Sequence, residues 1–273
     1  MMRKITSLLI MTLCLFSFTS VFASNDEFPG RKKFPKVPTM ELSELTKDYN
    51  DVAIVDARAT MEYDTISIKG AINIPVAKKD FQDKVRQLRS KTKKPIVFYC
   101  NGHTCMKSYQ ATKKAMEAGV KNVYAMDAGV FEWTKANPKL AILLGQSPVN
   151  LSHLITKKDF HKHFLDPDTF SDKATAVANR TMILDIRDKF QRAGVGFYPG
   201  KEHWASLDQR SKVRKYIKKA IAQNRTLMIY DEVGKQVEWL QYELEKAGAR
   251  NYYFMDKGAR GYFAAMNSWG NNK

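Results

Sequence analysis

Cysteine is scarce in this chain. Three occur in 273 residues, Cys14, Cys100 and Cys105. So few exclude a disulfide-dense scaffold. Glycine (14) and proline (9) fall far short of a collagen-like fibre. Long hydrophobic runs are missing after the first residues, which excludes a polytopic membrane protein. Acidic residues are outnumbered, 28 against 45 Lys and Arg, for a formal net charge of +17. What remains is ordinary for a folded protein, with 44% apolar and 27% charged residues. The length suits one large domain or two of usual size.

Residues 1–23 read as a secretory signal peptide. Arg3 and Lys4 precede an uncharged apolar stretch from Ile5 to Asn25, and Val21-Phe22-Ala23 fits a cleavage site after Ala23. An uncleaved anchor is the alternative, since the stretch could just span a bilayer. Cys14 lacks the small preceding residue of a lipoprotein signal. Cleavage removes Cys14, Arg3 and Lys4, leaving two cysteines, a charge of +15 and no stable membrane span. The expected location is an exported compartment, most simply a bacterial periplasm, where disulfides are permitted. Residues 24–35 form a basic arm with Arg31-Lys32-Lys33.

The rest repeats itself. Ile54-Val55-Asp56-Ala57-Arg58 answers to Ile183-Leu184-Asp185-Ile186-Arg187 at an offset of 129 residues. Ile96–Cys100 answers to Leu227–Asp231 at an offset of 131. Residues 118–133 answer to 247–262 with seven of sixteen positions identical. These matches predict a tandem duplication with units at 36–137 and 153–273, joined by a linker at 138–152. Leu140 to Leu144 is apolar, so the linker is expected to pack against a domain.

Each unit alternates short apolar runs with helix-like segments. Val52–Val55 and Ile96–Tyr99 suit strands buried on both faces of a parallel sheet. Ser108 to Ala118 reads as a helix stopped by Gly119, and Thr156 with Asp159 as a helix N-terminal cap. Unit two predicts strands at Met182–Leu184, Leu227–Tyr230 and Tyr252–Met255 and a helix over Gln236–Lys246. The pattern predicts an α/β fold of two tandem domains, each a parallel sheet flanked by helices on both faces. Ligands in such sheets sit beyond the carboxyl ends of the strands.

The chemistry concentrates at one strand end. Cys100 closes a strand and is followed by Asn101, Gly102, His103, Thr104, Cys105, Met106 and Lys107 before a helix. A strand–Cys–loop–helix unit points backbone N–H groups and a helix N-terminus into one loop, which lowers a thiol's pKa and cradles a small anion. That suits a nucleophilic thiolate acting on an anionic substrate, with Lys107 and His103 as further positive charge.

These residues resemble a known family, the rhodanese homology domain. The resemblance runs through Asp56-Ala57-Arg58, Glu62-Tyr63, Gly70-Ala71-Ile72-Asn73-Ile74-Pro75, Tyr99-Cys100 with its loop, and Asp127-Ala128-Gly129 followed by Trp133. Unit two is similar through Asp185-Ile186-Arg187, Pro199-Gly200, Tyr230-Asp231 and Asp256-Lys257-Gly258. The resemblance implies a sulfurtransferase in which Cys100 takes sulfane sulfur from thiosulfate or polysulfide. It holds the sulfur as a persulfide and passes it to cyanide or a thiol. No metal or organic cofactor is implied. The backbone from Asn101 to Cys105 and the helix start are expected to cradle the persulfide, with Asp56 and Arg58 as supporting scaffold.

The chain departs from the family pattern in several places. The loop's last position, often arginine in the family, is Cys105, and Lys107 is the candidate substitute. Ser67 stands near the family's usual histidine, and Ala128-Gly129 replaces a Gly-Gly. Cys105 could resolve an intermediate on Cys100 or carry the sulfur itself. Asp231 occupies the Cys100 position in unit two, which predicts a catalytically silent unit that shapes the cleft of the first. Three other readings compete: a thiol–disulfide redox protein or sensor, a structural Cys100–Cys105 disulfide, and a non-catalytic binding module. An Arg58–Glu62 pair is expected beside the loop. His161-Lys162-His163 reads as a solvated face, since i and i+2 do not share a helix side. Trp133 and Trp239 read as core. The basic surface would attract anionic donors, an acidic protein partner or anionic lipid headgroups; nucleic acid is not expected.

Overall fold

The computed structural model describes residues 28–176, 180–187 and 189–270. The signal segment 1–23 with Cys14, the start of the arm, and residues 271–273 lie outside the described residues.

Along the chain, α1 (Pro29–Lys33) and α2 (Leu42–Lys47) precede β1 (Ala53–Asp56). Then come α3 (Thr60–Thr65), β2 (Ile66–Ile68), β3 (Ile72–Asn73), α4 (Phe81–Lys91), β4 (Ile96–Tyr99), α5 (Lys107–Glu117), β5 (Val123–Met126), α6 (Gly129–Ala136) and β6 (Ala141–Leu143). The second half runs α7 (Lys157–His161), β7 (Phe164–Leu165), α8 (Pro167–Ala176), β8 (Thr181–Asp185), α9 (Lys189–Arg192) and β9 (Glu202–Trp204). It ends with α10 (Arg210–Ala222), β10 (Thr226–Tyr230), α11 (Val237–Lys246), β11 (Tyr252–Met255) and α12 (Gly258–Gly270).

All the strands but β2 and β6 form two all-parallel sheets. The first has the order β3-β1-β4-β5 and the second β7-β11-β10-β8-β9. Read from the opposite edge, the second repeats the first and adds β7. In the first sheet a single bridge, Thr39 to Ala125, stands where β7 pairs with β11. Asp56 lies beside Tyr99, and Asp185 beside Tyr230, so corresponding strand ends are in the same register. In both sheets the chain leaves its first strand toward one edge and returns on the other side. Such a switch point opens a crevice at the carboxyl ends of the strands.

Strand alternation sorts the core into layers. Ile96 and Phe98 of β4 pack with Val55, Phe81, Val85 and Ala111 under α4 and α5. Val97 and Tyr99 point the other way, into a cluster with Trp133 that continues into Leu184, Ile229, Trp239 and Leu240 of the second half. One apolar core therefore bridges the two sheets. Phe131 stacks on Trp239 at 5.8 Å, and Arg210 pairs with Asp64 across the same junction. The linker packs as its apolar run predicts, with β6 pairing antiparallel to β2. The arm does not stay free. Phe28 and Gly30 are buried, and Arg31 reaches the buried Asp127 at 2.8 Å.

Candidate functional site

Cys100 follows β4 directly, and the loop of residues 101–106 leads into α5. The Cys100 side chain is completely buried, and Cys105 is half-buried; both are free thiols. The turn Gly102 O to Cys105 N–H (2.8 Å) folds the loop back on itself. The Cys100 thiol then donates to the Cys105 carbonyl at 3.3 Å and lies 3.5 Å from the Ser108 hydroxyl.

The order of acidity differs from the sequence expectation. The strand-end position predicts a thiolate on Cys100. Burial instead pushes the Cys100 thiol well up, and its hydrogen bond to Cys105 keeps the proton in place. Cys105 is the acidic member, held down at about 6 by the hydrogen bond from Cys100 and by the backbone N–H groups of Asn101 and Lys107, with the Lys107 charge nearby. Cys105 is therefore the thiol that gives up its proton first. The backbone cradle also differs in detail. The Cys105 N–H is spent on the Gly102 turn, and the groups that converge on a sulfur are those of Asn101 and Lys107.

Two buried charges brace the loop. Arg58 is fully buried and grips Asp56 with Nε at 3.0 Å and Nη2 at 2.6 Å. It also donates to the Ile66 carbonyl at 2.6 Å and to Asn101 Oδ1 at 3.0 Å. Its guanidinium lies 5.5 Å from both the Tyr99 and Trp239 rings, so a second-half residue caps it. Glu62 does not pair with Arg58 as expected. It accepts from Asn101 Nδ2 at 2.9 Å, from Lys107 Nζ at 2.8 Å and from the Ala59 N–H at 3.1 Å. Burial pushes the Glu62 carboxyl up, but Lys107 and Arg58 more than offset this and leave it below its ordinary value. Lys107 is therefore tied to Glu62 rather than turned toward an incoming anion.

Gly129 explains how the loop fits. It has φ of +78°, and a Cβ there would lie 2.3 Å from the Gly102 nitrogen. The Val130 N–H donates to the Cys100 carbonyl at 2.9 Å from the start of α6. His103 lies under the Phe28 ring at 4.4 Å, so the N-terminal segment covers one side of the loop.

The second strand end is built alike but filled. Asp231 follows β10, and its carboxylate accepts the N–H groups of Val233 (3.0 Å), Gln236 (2.5 Å), Val237 (3.3 Å) and Gly234. Gly258 matches Gly129: its Cβ would lie 2.4 Å from the Asp231 carbonyl. Asp185 and Arg187 repeat the Asp56–Arg58 grip at 2.8 Å. From this loop α11 runs across to α3, bringing Trp239 over Arg58 and Glu238 toward Glu62. Burial, then the charge of Glu62, pushes the Glu238 carboxyl up.

Of the residues singled out from the sequence, Cys100, Asn101, Cys105, Lys107, Asp56 and Arg58 form one connected cluster. Gly102 contributes backbone, and His103 packs against Phe28. Thr104 is exposed, and the Met106 carbonyl accepts the Gln110 N–H at 2.9 Å. The sequence reading missed Ser108, Phe28 and Glu238. Ser108 was visible as the second residue of the helix after the loop; the other two carry no local signal. His163 departs from a solvated face, because its ring stacks on Tyr252 at 4.0 Å.

Comparison with known proteins agrees with this geometry. Residues 39–136 match the family of the rhodanese-like domain, and the chain carries such a domain there. An HTH-type transcriptional regulator of Mycobacterium tuberculosis is 36% identical over 90 residues, covering 33% of this chain and 38% of that protein. An adenylyltransferase and sulfurtransferase of Meyerozyma guilliermondii is 34% identical over 96 residues, covering 32% and 22%. Among solved structures, a thiosulfate sulfurtransferase of Pseudomonas aeruginosa aligns over 86% of this chain and 46% of its own, with 21% identity and a TM-score of 0.35. The chain thus spans less than half the length of these relatives.

Proposed function

We propose that the chain is a sulfurtransferase that carries sulfane sulfur as a persulfide on Cys100. The donor is thiosulfate or a polysulfide, and the acceptor is a thiol or cyanide. One observation carries the reading: a cysteine ends the central strand of a rhodanese-like domain, and its loop runs straight into α5.

The chemistry follows from this order of acidity. As the donor's sulfane sulfur approaches, the Cys100 proton passes to the Cys105 thiolate. The freed Cys100 thiolate attacks that sulfur and expels sulfite. Asp56, Arg58 and Glu62 act on Asn101 and Lys107, so they position the loop without touching the donor. The second half is catalytically silent, because a carboxylate at position 231 cannot carry sulfane sulfur. Its role is to brace the first site through Trp239. The basic composition favours anionic donors and an acidic protein partner. The N-terminal signal pattern supports a periplasmic location.

A thiol–disulfide function is the second reading, favoured by two free thiols in one loop, with the Cys100 thiol donating to the Cys105 carbonyl. The two separate on sulfite release. Reduced full-length protein given thiosulfate without oxygen should release one sulfite per chain, and Cys100→Ser none. Sulfite release that survives in Cys100→Ser would remove Cys100 as carrier.

A further inference from the structure

We propose that Cys105 resolves the Cys100 persulfide, so that the loop releases sulfane sulfur as hydrosulfide and is left as a Cys100–Cys105 disulfide. The proposal rests on the sulfur-carrying reading above and extends it from transfer to reduction.

The geometry supplies both partners. The Gly102–Cys105 turn brings the Cys105 backbone within 3.3 Å of the Cys100 sulfur, where the Cys100 thiol donates to the Cys105 carbonyl. Two backbone N–H groups, from Asn101 and Lys107, converge on the Cys105 sulfur, where the site stabilises negative charge. In the second half the corresponding loop aims its N–H groups at the Asp231 carboxylate, so a loop of this kind holds an anion. Here the anion is a nucleophile. Cys100 is buried, so the donor and any external thiol alike reach its sulfur only when the loop opens, whereas Cys105 already lies in the same closed loop. These two are the sole cysteines after Cys14, so no other residue of the folded chain can do this.

The steps balance on the single proton. Cys100 thiol and Cys105 thiolate meet thiosulfate. The proton moves to Cys105, the Cys100 sulfur bonds to the sulfane sulfur, and the sulfur–sulfur bond of thiosulfate breaks to give sulfite. The proton then moves from Cys105 to the outer persulfide sulfur. Cys105 attacks the inner sulfur, the bond to the outer sulfur breaks, and hydrosulfide leaves with the proton and the electron pair. Two thiol sulfurs are oxidised to a disulfide and one sulfane sulfur is reduced. A dithiol reductant restores the pair by exchange.

The test uses the full chain, reduced, freed of reductant and mixed with thiosulfate without oxygen. Sulfite, hydrosulfide and intact mass are followed together. Wild type should give one sulfite and one hydrosulfide per chain and lose two hydrogens. Cys105→Ser, and Cys105→Ala as a second variant, should form the persulfide more slowly, keep one extra sulfur atom and release no hydrosulfide. Wild type that holds the extra sulfur and releases sulfite alone would overturn the resolving step and leave the carrier reading standing. Hydrosulfide released equally by the Cys105 variants would overturn it as well. Absence of sulfite from all of them would instead remove the sulfur-carrying reading, and this proposal with it.

Discussion

At the end of β4 the chain places two free thiols, Cys100 and Cys105; at the end of β10 it places a carboxylate with four N–H groups aimed at it. The scaffolds around these loops are nearly the same. Each has an Asp–Arg grip on the neighbouring strand end and a glycine at positive φ pressed against the loop. Each loop opens a helix. The difference lies in what neutralises the cradle. In the second half a built-in carboxylate does so permanently, and an outside anion would meet its charge. In the first half the cradle is held by Cys105, a group that can give up its charge by taking a proton or by forming a bond. One architecture thus holds a fixed carboxylate in one place and two free thiols in the other.

Emptying the filled cradle should have the largest effect. Asp231→Ala leaves four inward-facing N–H groups without their acceptor and should cost about 3 kcal/mol of stability, read by denaturant unfolding. Sulfite release should persist, since the reactive pair is untouched. A variant as stable as wild type would mean that the carboxylate is not what holds that loop.

The proton arrangement in the other loop can be read by alkylation. Iodoacetamide labelling of Cys105 should rise with pH around a midpoint of about 6, because its folded value lies below that of an ordinary thiol. Labelling is then lost as pH falls through that midpoint. Cys100→Ala removes the first cause of the low value and should move the midpoint upward. A midpoint near that of a free thiol in wild type would contradict this order of acidity. The smallest effect is expected from Glu62→Gln. It weakens the hold on Lys107 and Asn101 at a site where Lys107 is largely open to water, and should slow sulfite release about fivefold or less.

Much of this was legible in the sequence. The Cys100 loop, Asp56 and Arg58 stood out because strand ends and helix starts leave local patterns, and the repeat exposed Asp231 as the mismatched partner. The direction of the Cys100 pKa was not legible. A strand-end thiol gains from nearby N–H groups but loses from burial, and the balance depends on which sulfur those groups meet. The partners of Glu62 were missed for a similar reason. Asp56, Ile66 and Asn101 already occupy Arg58, and only the folded loop brings Asn101 and Lys107 to Glu62. Phe28 over His103 and Trp239 over Arg58 are contacts between distant segments, which strand and helix periodicity cannot reveal.

The most direct test of the central claim is to locate the sulfur. Cys105→Ser is loaded with thiosulfate without oxygen, alkylated and mapped peptide by peptide. The account predicts one extra sulfur atom on Cys100. A chain that takes up no sulfur, or in which the label lies anywhere but Cys100, would contradict it.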